Sequence, residues 1–262
     1  MLEGRVSLVI PAHNEALNME SVMRDVRRTL DEADLDYEII LVDDGSTDGT
    51  ADAAGKALGD GRGHLRVVRH DEQRGYATTV CDGLRAAQGD VLAFMDGDGQ
   101  FRAVDLRTLL DALAGADLVA GYRTIRADPW PRLVMGGTLN VLVRLLYGVR
   151  VRDVDCGLKV MRREVFEAAC PILARSALFN TELYFKAQRC GYTIRQIGVP
   201  HHPRLAGRRS GGRLIPVLRA VRDIIRLRRR LLHAWAPPQQ PVRATREQTA
   251  AHGVEAKEPP ST

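Results

Sequence analysis

Short, largely apolar runs alternate with helix-like segments over the first hundred residues. The apolar runs cover 5–10, 37–42, 65–69 and 91–95, and turn-forming or charged residues follow each of them. Between the runs, apolar residues recur at helical spacing. We expect Asn14 or Asn18 to cap the first helix. Strands that alternate with helices in this way predict βαβ units and a largely parallel sheet.

The second half of the chain is less regular. Its predicted elements are helices over 104–113, 133–146 and 179–189 and strands over 117–121 and 192–199. A basic helix is predicted over 213–235. Residues 236–262 are rich in Pro, Gln, Thr, Glu and Ala and poor in bulky apolar residues, so we expect this tail to be disordered.

Acidic or polar residues directly follow three of the predicted strands. These residues are Asn14 and Glu15, Asp43 and Asp44, and Asp96 and Asp98. Because the carboxyl ends of parallel strands share one edge of a sheet, we expect a single cleft to collect them. Two carboxylates one residue apart, flanked by glycines, suit a divalent cation that carries a diphosphate. An acidic turn without a ligand is the plainer interpretation of the Asp96 pair taken alone.

The sequence lacks the glycine patterns of two common nucleotide-binding classes. No Gly-x-Gly-x-x-Gly follows the first strand, and no phosphate-binding Walker loop is present. A dinucleotide-dependent enzyme or a P-loop enzyme is therefore not expected.

The composition is that of a soluble globular protein, with 262 residues of which 45% are hydrophobic and 27% charged. We expect no signal peptide, since the first apolar run is short and Pro11 follows it at once. No apolar run is long enough to predict a transmembrane helix. The four cysteines have no metal-binding spacing and are interpreted as reduced thiols, so we expect a cytoplasmic protein.

The net charge of +5 is concentrated near the end of the chain. Ten arginines and one acidic residue, Asp223, lie between Arg204 and Arg230. This asymmetry indicates a negatively charged partner, either a lipid or a nucleic acid. Nucleic acid is not expected, because few aromatic residues are interleaved for base stacking and no recognition motif is present.

The predicted helix over 213–235 combines an apolar stripe with arginines. The stripe is Leu218, Val221, Ile225 and Leu232, and the arginines are Arg219, Arg222, Arg226, Arg229 and Arg230. We interpret the segment as a basic amphipathic helix that attaches a peripheral protein to the anionic inner face of the membrane. A solvated charged face is the alternative.

Three motifs occur in order along the chain: VIPAHNE at 9–15, VDDGSTDGT at 42–50 and MDGDGQ at 95–100. Together they resemble glycosyltransferase family 2 over about 6–215. The resemblance implies a GT-A fold, a Rossmann-like, mostly parallel α/β sheet flanked by helices. Segments 121–123, 151–159, 179–182 and 201–210 are most similar to dolichol-phosphate mannose synthases and related polyprenyl-phosphate glycosyltransferases.

This resemblance implies the domain organisation and the site residues. The catalytic domain would cover 1–212, with a nucleotide-sugar half over 1–121 and an acceptor half over 122–212. The nucleotide sugar would be bound by Pro11, Asn14, Glu15, Asp43, Asp44, Asp96 and Gly97. Mg²⁺ or Mn²⁺ would be held by Asp96, Asp98 and Gln100. Arg123 would face a donor or acceptor phosphate, and the acceptor phosphate would contact Arg208, Arg209 and Ser210. Gly97 and Gly211 depart from the family pattern, which commonly has Ala and Lys there.

The implied reaction moves a hexose from a nucleotide sugar of the GDP-mannose or UDP-glucose type to a polyprenyl or dolichyl phosphate. It is a direct displacement with inversion, in which the cation and the arginines stabilise the leaving diphosphate. A phosphate acceptor is already an anion and needs no general base, whereas a hydroxyl acceptor needs one. Asp155 and Glu182 are the candidates for that base. The expected catalytic residues are Asp98, Arg123, Asp155 and Glu182.

Two other functions stay open from the sequence. One is a family 2 transferase that acts on a hydroxyl of a soluble saccharide or small molecule. The other is a non-catalytic nucleotide-sugar-binding protein or membrane adaptor. The intact Asp96, Asp98 and Arg123 argue against this last function.

Overall fold

Strands and helices alternate along the described chain, as the hydrophobic pattern predicts. The structure is a computed structural model that describes residues 4–126, 130–174, 178–204, 206 and 217–237. The strands are β1 (Val6–Ala12), β2 (Tyr37–Asp44), β3 (Leu65–His70), β4 (Val91–Met95), β5 (Leu118–Arg126), β6 (Leu158–Arg162) and β7 (Ile194–His201). The helices are α1 (Ala16–Glu32), α2 (Thr50–Leu58), α3 (Tyr76–Ala86), α4 (Ala103–Ala112), α5 (Trp130–Tyr147), α6 (Arg163–Ala169), α7 (Phe179–Arg189) and α8 (Val217–Ala234).

The strands form one mixed sheet in the order β3-β2-β1-β4-β6-β5-β7. Strand β1 pairs in parallel with β2 and β4, β2 pairs in parallel with β3, and β5 pairs in parallel with β7. Strand β6 is antiparallel to both of its neighbours, β4 and β5. The predicted α/β fold with a mostly parallel sheet is therefore confirmed.

Helices cover both faces of the sheet. On one face, α1, α2 and α4 pack in the same apolar cluster as Leu8 and Ile10 of β1. On the other face, α3, α5, α6, α7 and α8 pack in the cluster that contains Val9 of the same strand. Successive side chains of a strand point to opposite faces, so β1 contributes to both layers. Burial on both faces explains why this strand is a nearly continuous apolar run.

The structure contains one strand and one helix that the hydrophobic pattern does not predict, β6 and α6. Strand β6 has five residues, and Lys159, which is fully buried, interrupts its apolar pattern. Helix α6 has seven residues, too few to establish a helical period. The predicted capping of α1 is wrong: Glu15 is the N-cap residue, without a side-chain cap hydrogen bond, and Asn18 lies inside the helix.

Helix α8 docks on the domain through an apolar face that only partly matches the predicted stripe. Its buried residues are Ile224, Leu227 and Leu231. The Tyr147 hydroxyl of α5 donates a 2.6 Å hydrogen bond to the Ile224 carbonyl. Two stripe residues, Ile225 and Leu232, are exposed instead, and the side chains of 217–221 lie outside the described part. Among the described helices, none is both long and apolar enough to cross a membrane.

Candidate active site

The carboxyl ends of β1, β2 and β4 lie side by side and open into a cleft of about 230 Å³. The segment 153–157, which leads into β6, reaches the same edge because Leu158 pairs with Met95. The predicted site residues that line the cleft are Pro11, Glu15, Asp44, Asp96, Gly97, Asp98 and Gln100. Residues from all three strand ends therefore meet in one cleft, as the parallel pairing predicts.

Asp96 and Asp98 lie on a turn that two backbone hydrogen bonds fix against neighbouring elements. The Asp96 amide donates to the carbonyl of Gly157 at 3.1 Å, and the Gly97 amide donates to that of Pro11 at 3.3 Å. A Cβ at position 157 would lie 1.8 Å from Asp96 Oδ2, so this close approach requires glycine. Asp98 accepts a hydrogen bond from a backbone amide two residues on. The turn thereby holds both carboxylates at the cleft.

The electrostatics of this pair favour a bound cation. Burial, and then the charge of Asp98, raise the pKa of Asp96 to about 7, while Tyr76, Lys159 and Arg123 act in the opposite direction. Asp96 Oδ1 is buried and has no hydrogen-bond partner among the described residues. Among all the residues that the structure describes, no group of three or more His, Cys, Asp or Glu side chains is arranged to hold a metal ion. The two carboxylates fit an ion such as Mg²⁺, which completes its coordination with phosphate oxygens and water.

Arg123 and Asp153 form a bidentate ion pair next to this turn. Arg123 Nε lies 2.6 Å from Asp153 Oδ2, and Nη2 lies 2.8 Å from Oδ1. Burial alone would lower the pKa of Arg123, but the Asp153 carboxylate raises it above its ordinary value, so the guanidinium stays charged. Asp153 therefore positions the guanidinium, while contact between Arg123 and a phosphate stays a prediction.

Asp155 lies on the same segment, close to the acidic turn. Its side chain is partly exposed. The pKa of Tyr76, a cleft residue, is raised well above its ordinary value by burial, then by Asp96 and further by Asp155. Asp155 itself is not among the residues that line the cleft, so its role as a base stays a prediction.

The segment that follows β7 brings Arg204 to the cleft. The His202 amide donates a 2.9 Å hydrogen bond to the Gln100 carbonyl, and Gln100 Nε2 donates a 2.9 Å hydrogen bond to the His202 carbonyl. Arg204 Nη2 donates to Glu15 Oε1, and Asn18 Nδ2 donates to the other oxygen of the same carboxylate at 2.6 Å. Glu15 is thus tied to the segment that leads to the predicted acceptor-phosphate residues.

The family model described as "Glycosyl transferase family 2" matches residues 7–169. The chain belongs to this family. The protein is therefore a glycosyltransferase, and the resemblance carried by its three motifs is confirmed.

Relatives of this glycosyltransferase include enzymes named for lipid phosphates. Polyprenol monophosphomannose synthase of Mycolicibacterium smegmatis is 32% identical over 78% of this chain and 79% of its own length. Glycosyltransferase AglD of Haloferax volcanii is 30% identical over 95% of this chain but only 40% of its own length. Undecaprenyl-phosphate 4-deoxy-4-formamido-L-arabinose transferase of Aeromonas hydrophila is 31% identical over 65% of this chain and 56% of its own length. The chain thus spans about half of the last two relatives.

Solved structures of a mycobacterial enzyme share the GT-A fold. Glucosyl-3-phosphoglycerate synthase from Mycobacterium tuberculosis, in complex with Mn²⁺ and UDP-glucose, superimposes with a TM-score of 0.64 at 23% identity. The match covers 89% of this chain and 80% of that one. The same enzyme in complex with Mg²⁺ and UDP gives a TM-score of 0.63 at 23% identity, with the same shares covered.

Glu182 does not reach the cleft of this glycosyltransferase. It is fully buried on α7, where its carboxylate forms a 2.6 Å ion pair with Lys186. The backbone amides of Leu173 and Ala174 donate to both of its oxygens at 2.6–2.9 Å. The sequence-based assignment of Glu182 as a general base is therefore corrected: the carboxylate anchors the loop before α7.

Asn14 and Asp43, which the resemblance assigns to the nucleotide sugar, are not among the residues that line the cleft. Asn14 has a φ of 56°, and its Oδ1 accepts a 2.9 Å hydrogen bond from the Thr47 amide. Asp43 Oδ1 accepts a 3.0 Å hydrogen bond from the Ser46 amide. Both side chains shape the turn between β2 and α2. The predicted acceptor-phosphate residues Arg208, Arg209 and Ser210, and residues 238–262 of the predicted tail, lie outside the described residues.

Several cleft residues are not singled out by the sequence. They are His13, Gln73, Tyr76, Thr79 and Arg204. His13 and Arg204 stand inside segments that carry the family resemblance, so the motif itself could have indicated them. Gln73 and Tyr76 follow the third strand, where the acidic pair Asp71 and Glu72 could have indicated another strand end at the cleft.

Lys159 is a buried cation beneath the same edge. It is fully buried, its Nζ donates to the Cys156 carbonyl, and it lies 5.1 Å from the centre of the Phe94 ring. Burial lowers the pKa of Lys159, against the attraction of Cys156 and the nearby aspartates. Apolar periodicity gives no signal for such a residue, because a lysine within a strand normally indicates an exposed position.

Proposed function

We propose that this family 2 glycosyltransferase moves a hexose from a nucleotide sugar of the GDP-mannose or UDP-glucose type to a polyprenyl phosphate, with inversion and with Mg²⁺ or Mn²⁺. The relatives named polyprenol monophosphomannose synthase and undecaprenyl-phosphate arabinose transferase support the acceptor class. Complexes of glucosyl-3-phosphoglycerate synthase with UDP and Mn²⁺ or Mg²⁺ support the donor class and the metal.

The residues of the cleft have separate roles in this proposal. Asp96 and Asp98, with Gln100 beside them, hold the cation at the end of β4. A bound Mg²⁺ or Mn²⁺ supplies a Lewis acid that stabilises the leaving diphosphate. Arg204 reaches into the cleft, where a guanidinium favours phosphate oxygens. Arg123, held in place by Asp153, adds positive charge beside the reacting centre.

The observation that carries the acceptor class is the burial of Glu182. Of the two base candidates, Glu182 is fully buried and ion-paired with Lys186, which leaves Asp155 as the remaining candidate. A phosphate-monoester acceptor attacks as an anion and loses no proton in the transition state, so it requires no base. With Glu182 excluded as a base and Arg204 among the residues that line the cleft, the site suits a phosphate nucleophile, which needs no base.

We also propose peripheral attachment to the anionic inner face of the cytoplasmic membrane through α8. The exposed arginines of the helix are Arg222, Arg226, Arg229 and Arg230. Ile225 is 39% exposed and Leu232 is 58% exposed. Helix α5, against which α8 packs, exposes Val141 and Leu145 as well. Basic residues interspersed with exposed apolar ones favour an anionic lipid surface.

A hydroxyl acceptor is the second candidate function, because Asp155 is partly exposed on the segment whose Gly157 carbonyl accepts from the Asp96 amide. The substitution Asp155→Asn separates the two. With polyprenyl phosphate as the acceptor, the variant should keep a substantial rate, since no proton is taken from the nucleophile. With a hydroxyl acceptor and Asp155 as the base, the rate should fall on the order of a hundredfold or more. A nearly inactive variant that still binds donor and metal would favour the hydroxyl acceptor.

A further inference from the structure

Asp44, at the end of β2, uses its whole carboxylate to hold other parts of the protein. Oδ1 accepts hydrogen bonds from His70 Nδ1 at 2.7 Å and from the Arg74 amide at 2.8 Å. Oδ2 accepts a 3.0 Å hydrogen bond from the Gly75 amide. Burial alone would raise the pKa of Asp44, but these hydrogen bonds lower it below its ordinary value. The carboxylate therefore stays charged and organises the loop that precedes α3.

His70 lies between two carboxylates. It pairs with Asp44 in the register of β3 and β2, and its side chain is only 3% exposed. Its second ring nitrogen, Nε2, lies 3.3 Å from Asp82 Oδ2 on α3. Asp82 in turn is bound by Arg85 at 2.9 Å. A line of polar groups thus runs from the partly exposed Asp82 on α3 through the buried His70 to the cleft residue Asp44.

The loop held by Asp44 supplies part of the cleft wall. Gln73 and Tyr76, on either side of the two bonded amides, line the cleft. Gly75, between them, has a φ of 89° and is the N-cap of α3, with no side-chain cap hydrogen bond of its own. The same loop packs on Gly45, where an added Cβ would lie 2.8 Å from the Gln73 nitrogen. The position of Gln73 and Tyr76 therefore depends on the Asp44 carboxylate.

We propose that His70 is a positioning residue for the donor nucleotide. By binding Asp44 Oδ1, which also accepts the Arg74 amide, it orients the carboxylate and fixes the loop that places Gln73 and Tyr76 at the cleft. This inference rests on the proposed function, in which a nucleoside diphosphate occupies the cleft. His70 does not touch the reacting atoms, so its contribution falls on donor binding and not on the chemical step.

The test compares His70→Phe with His70→Asn in the full chain. Phenylalanine keeps a planar ring but removes the donor to Asp44, whereas the asparagine amide nitrogen takes the place of Nδ1. Since a hydrogen bond to a charged group is lost, His70→Phe should raise the Kd for UDP or GDP with Mg²⁺, and the KM for the donor, on the order of tenfold or more. The kcat at saturating donor should stay within about threefold, and His70→Asn should recover most of the affinity.

A second readout does not depend on any ligand. Amide hydrogen exchange in 71–76 should become faster in His70→Phe than in the wild type, and less so in His70→Asn. The matched control is His64→Phe, because His64 stacks on Tyr37 before β3, at the opposite end from the cleft. This control should leave both the nucleotide Kd and the exchange of 71–76 unchanged.

The outcomes separate this inference from the proposed function. If the wild type binds UDP or GDP and His70→Phe binds it equally well, the inference is overturned while the proposed function stands. If the wild type binds neither nucleotide, the proposed function fails, and the positioning of a donor by His70 fails with it. Unchanged exchange in 71–76 overturns the inference whatever the binding result.

Discussion

Gly157 offers a direct way to move the acidic turn without changing any polar group. A Cβ at this position would lie 1.8 Å from Asp96 Oδ2, 2.2 Å from Cγ and 2.7 Å from Oδ1. Ordinary contact begins at 3.4 Å, so Gly157→Ala has to displace the Asp96 carboxylate by about 1.6 Å. The 3.1 Å bond between the Asp96 amide and the Gly157 carbonyl holds the two backbones together, so the side chain has to give way.

A displacement of this size should be costly for turnover. Misplacing a catalytic group by about 1 Å can cost on the order of a hundredfold in rate, and we expect at least that loss in kcat/KM for Gly157→Ala. Affinity for Mn²⁺ in the presence of nucleoside diphosphate, measured by electron paramagnetic resonance, should fall together with the rate. The helical fold, followed by circular dichroism, should persist.

Gly137→Ala is the matched control for this prediction. Gly137 lies within α5, and a Cβ there meets nothing within 4 Å. Alanine also favours a helix interior by about 0.5–1 kcal/mol over glycine, so this variant should be as stable as the wild type or more so, with an unchanged rate. A Gly157→Ala enzyme with wild-type turnover and Mn²⁺ affinity would refute the assignment of Asp96 to the metal site.

Three further predictions follow from buried or exposed charges. Glu182→Gln leaves Lys186 buried without its counter-charge, so it should lower the free energy of unfolding by about 3–5 kcal/mol in urea titrations. The folded fraction of this variant should still transfer the hexose to polyprenyl phosphate. A variant that is as stable as the wild type but inactive would contradict the anchoring role of Glu182. Burial alone would raise the pKa of Glu38, but hydrogen bonds from Ser7 and Gln88 lower it below its ordinary value of 4.5. The charged carboxylate therefore stabilises the fold above about pH 4.5, and this contribution is lost as the pH falls through the lowered pKa. Between about pH 7 and pH 3, Glu38→Gln should lose less stability than the wild type, and equal losses in the two proteins would contradict this role of Glu38. Each arginine near an anionic membrane contributes about 1 kcal/mol to binding, so replacing Arg222, Arg226, Arg229 and Arg230 with Gln should abolish sedimentation with anionic vesicles. If the wild type binds neutral and anionic vesicles equally well, α8 is a solvated face and not a membrane anchor.

The parts of the site that follow from the sequence are those encoded locally at strand ends. Asp44, Asp96 and Asp98 each come directly after an apolar run, and parallel pairing is enough to bring them together. The same reasoning gives the order of strands and helices over the first hundred residues. No long-range information is required for either result.

The parts that the sequence does not reveal depend on contacts between distant residues. Arg123 meets Asp153 across 30 positions, and Arg204 meets Glu15 across 189. Glu182 lies in the first turn of a helix, where an acidic residue is usually exposed. In the structure it is buried instead, and Lys186, one turn further along the helix, neutralises its charge. Periodicity describes which face of an element is apolar, but it cannot identify a buried charge whose partner is supplied by the fold.

The most direct test of the account is the identity of the reaction product. The full chain is incubated with Mg²⁺, polyprenyl phosphate and either GDP-mannose or UDP-glucose, and the extracted lipid is analysed by mass spectrometry. We expect the polyprenyl phosphate to gain the mass of one hexose with one of these donors, and we expect no such product with Asp98→Ala or with excess chelator. Transfer of the hexose to a soluble hydroxyl acceptor, with the lipid phosphate left unmodified, would contradict the account.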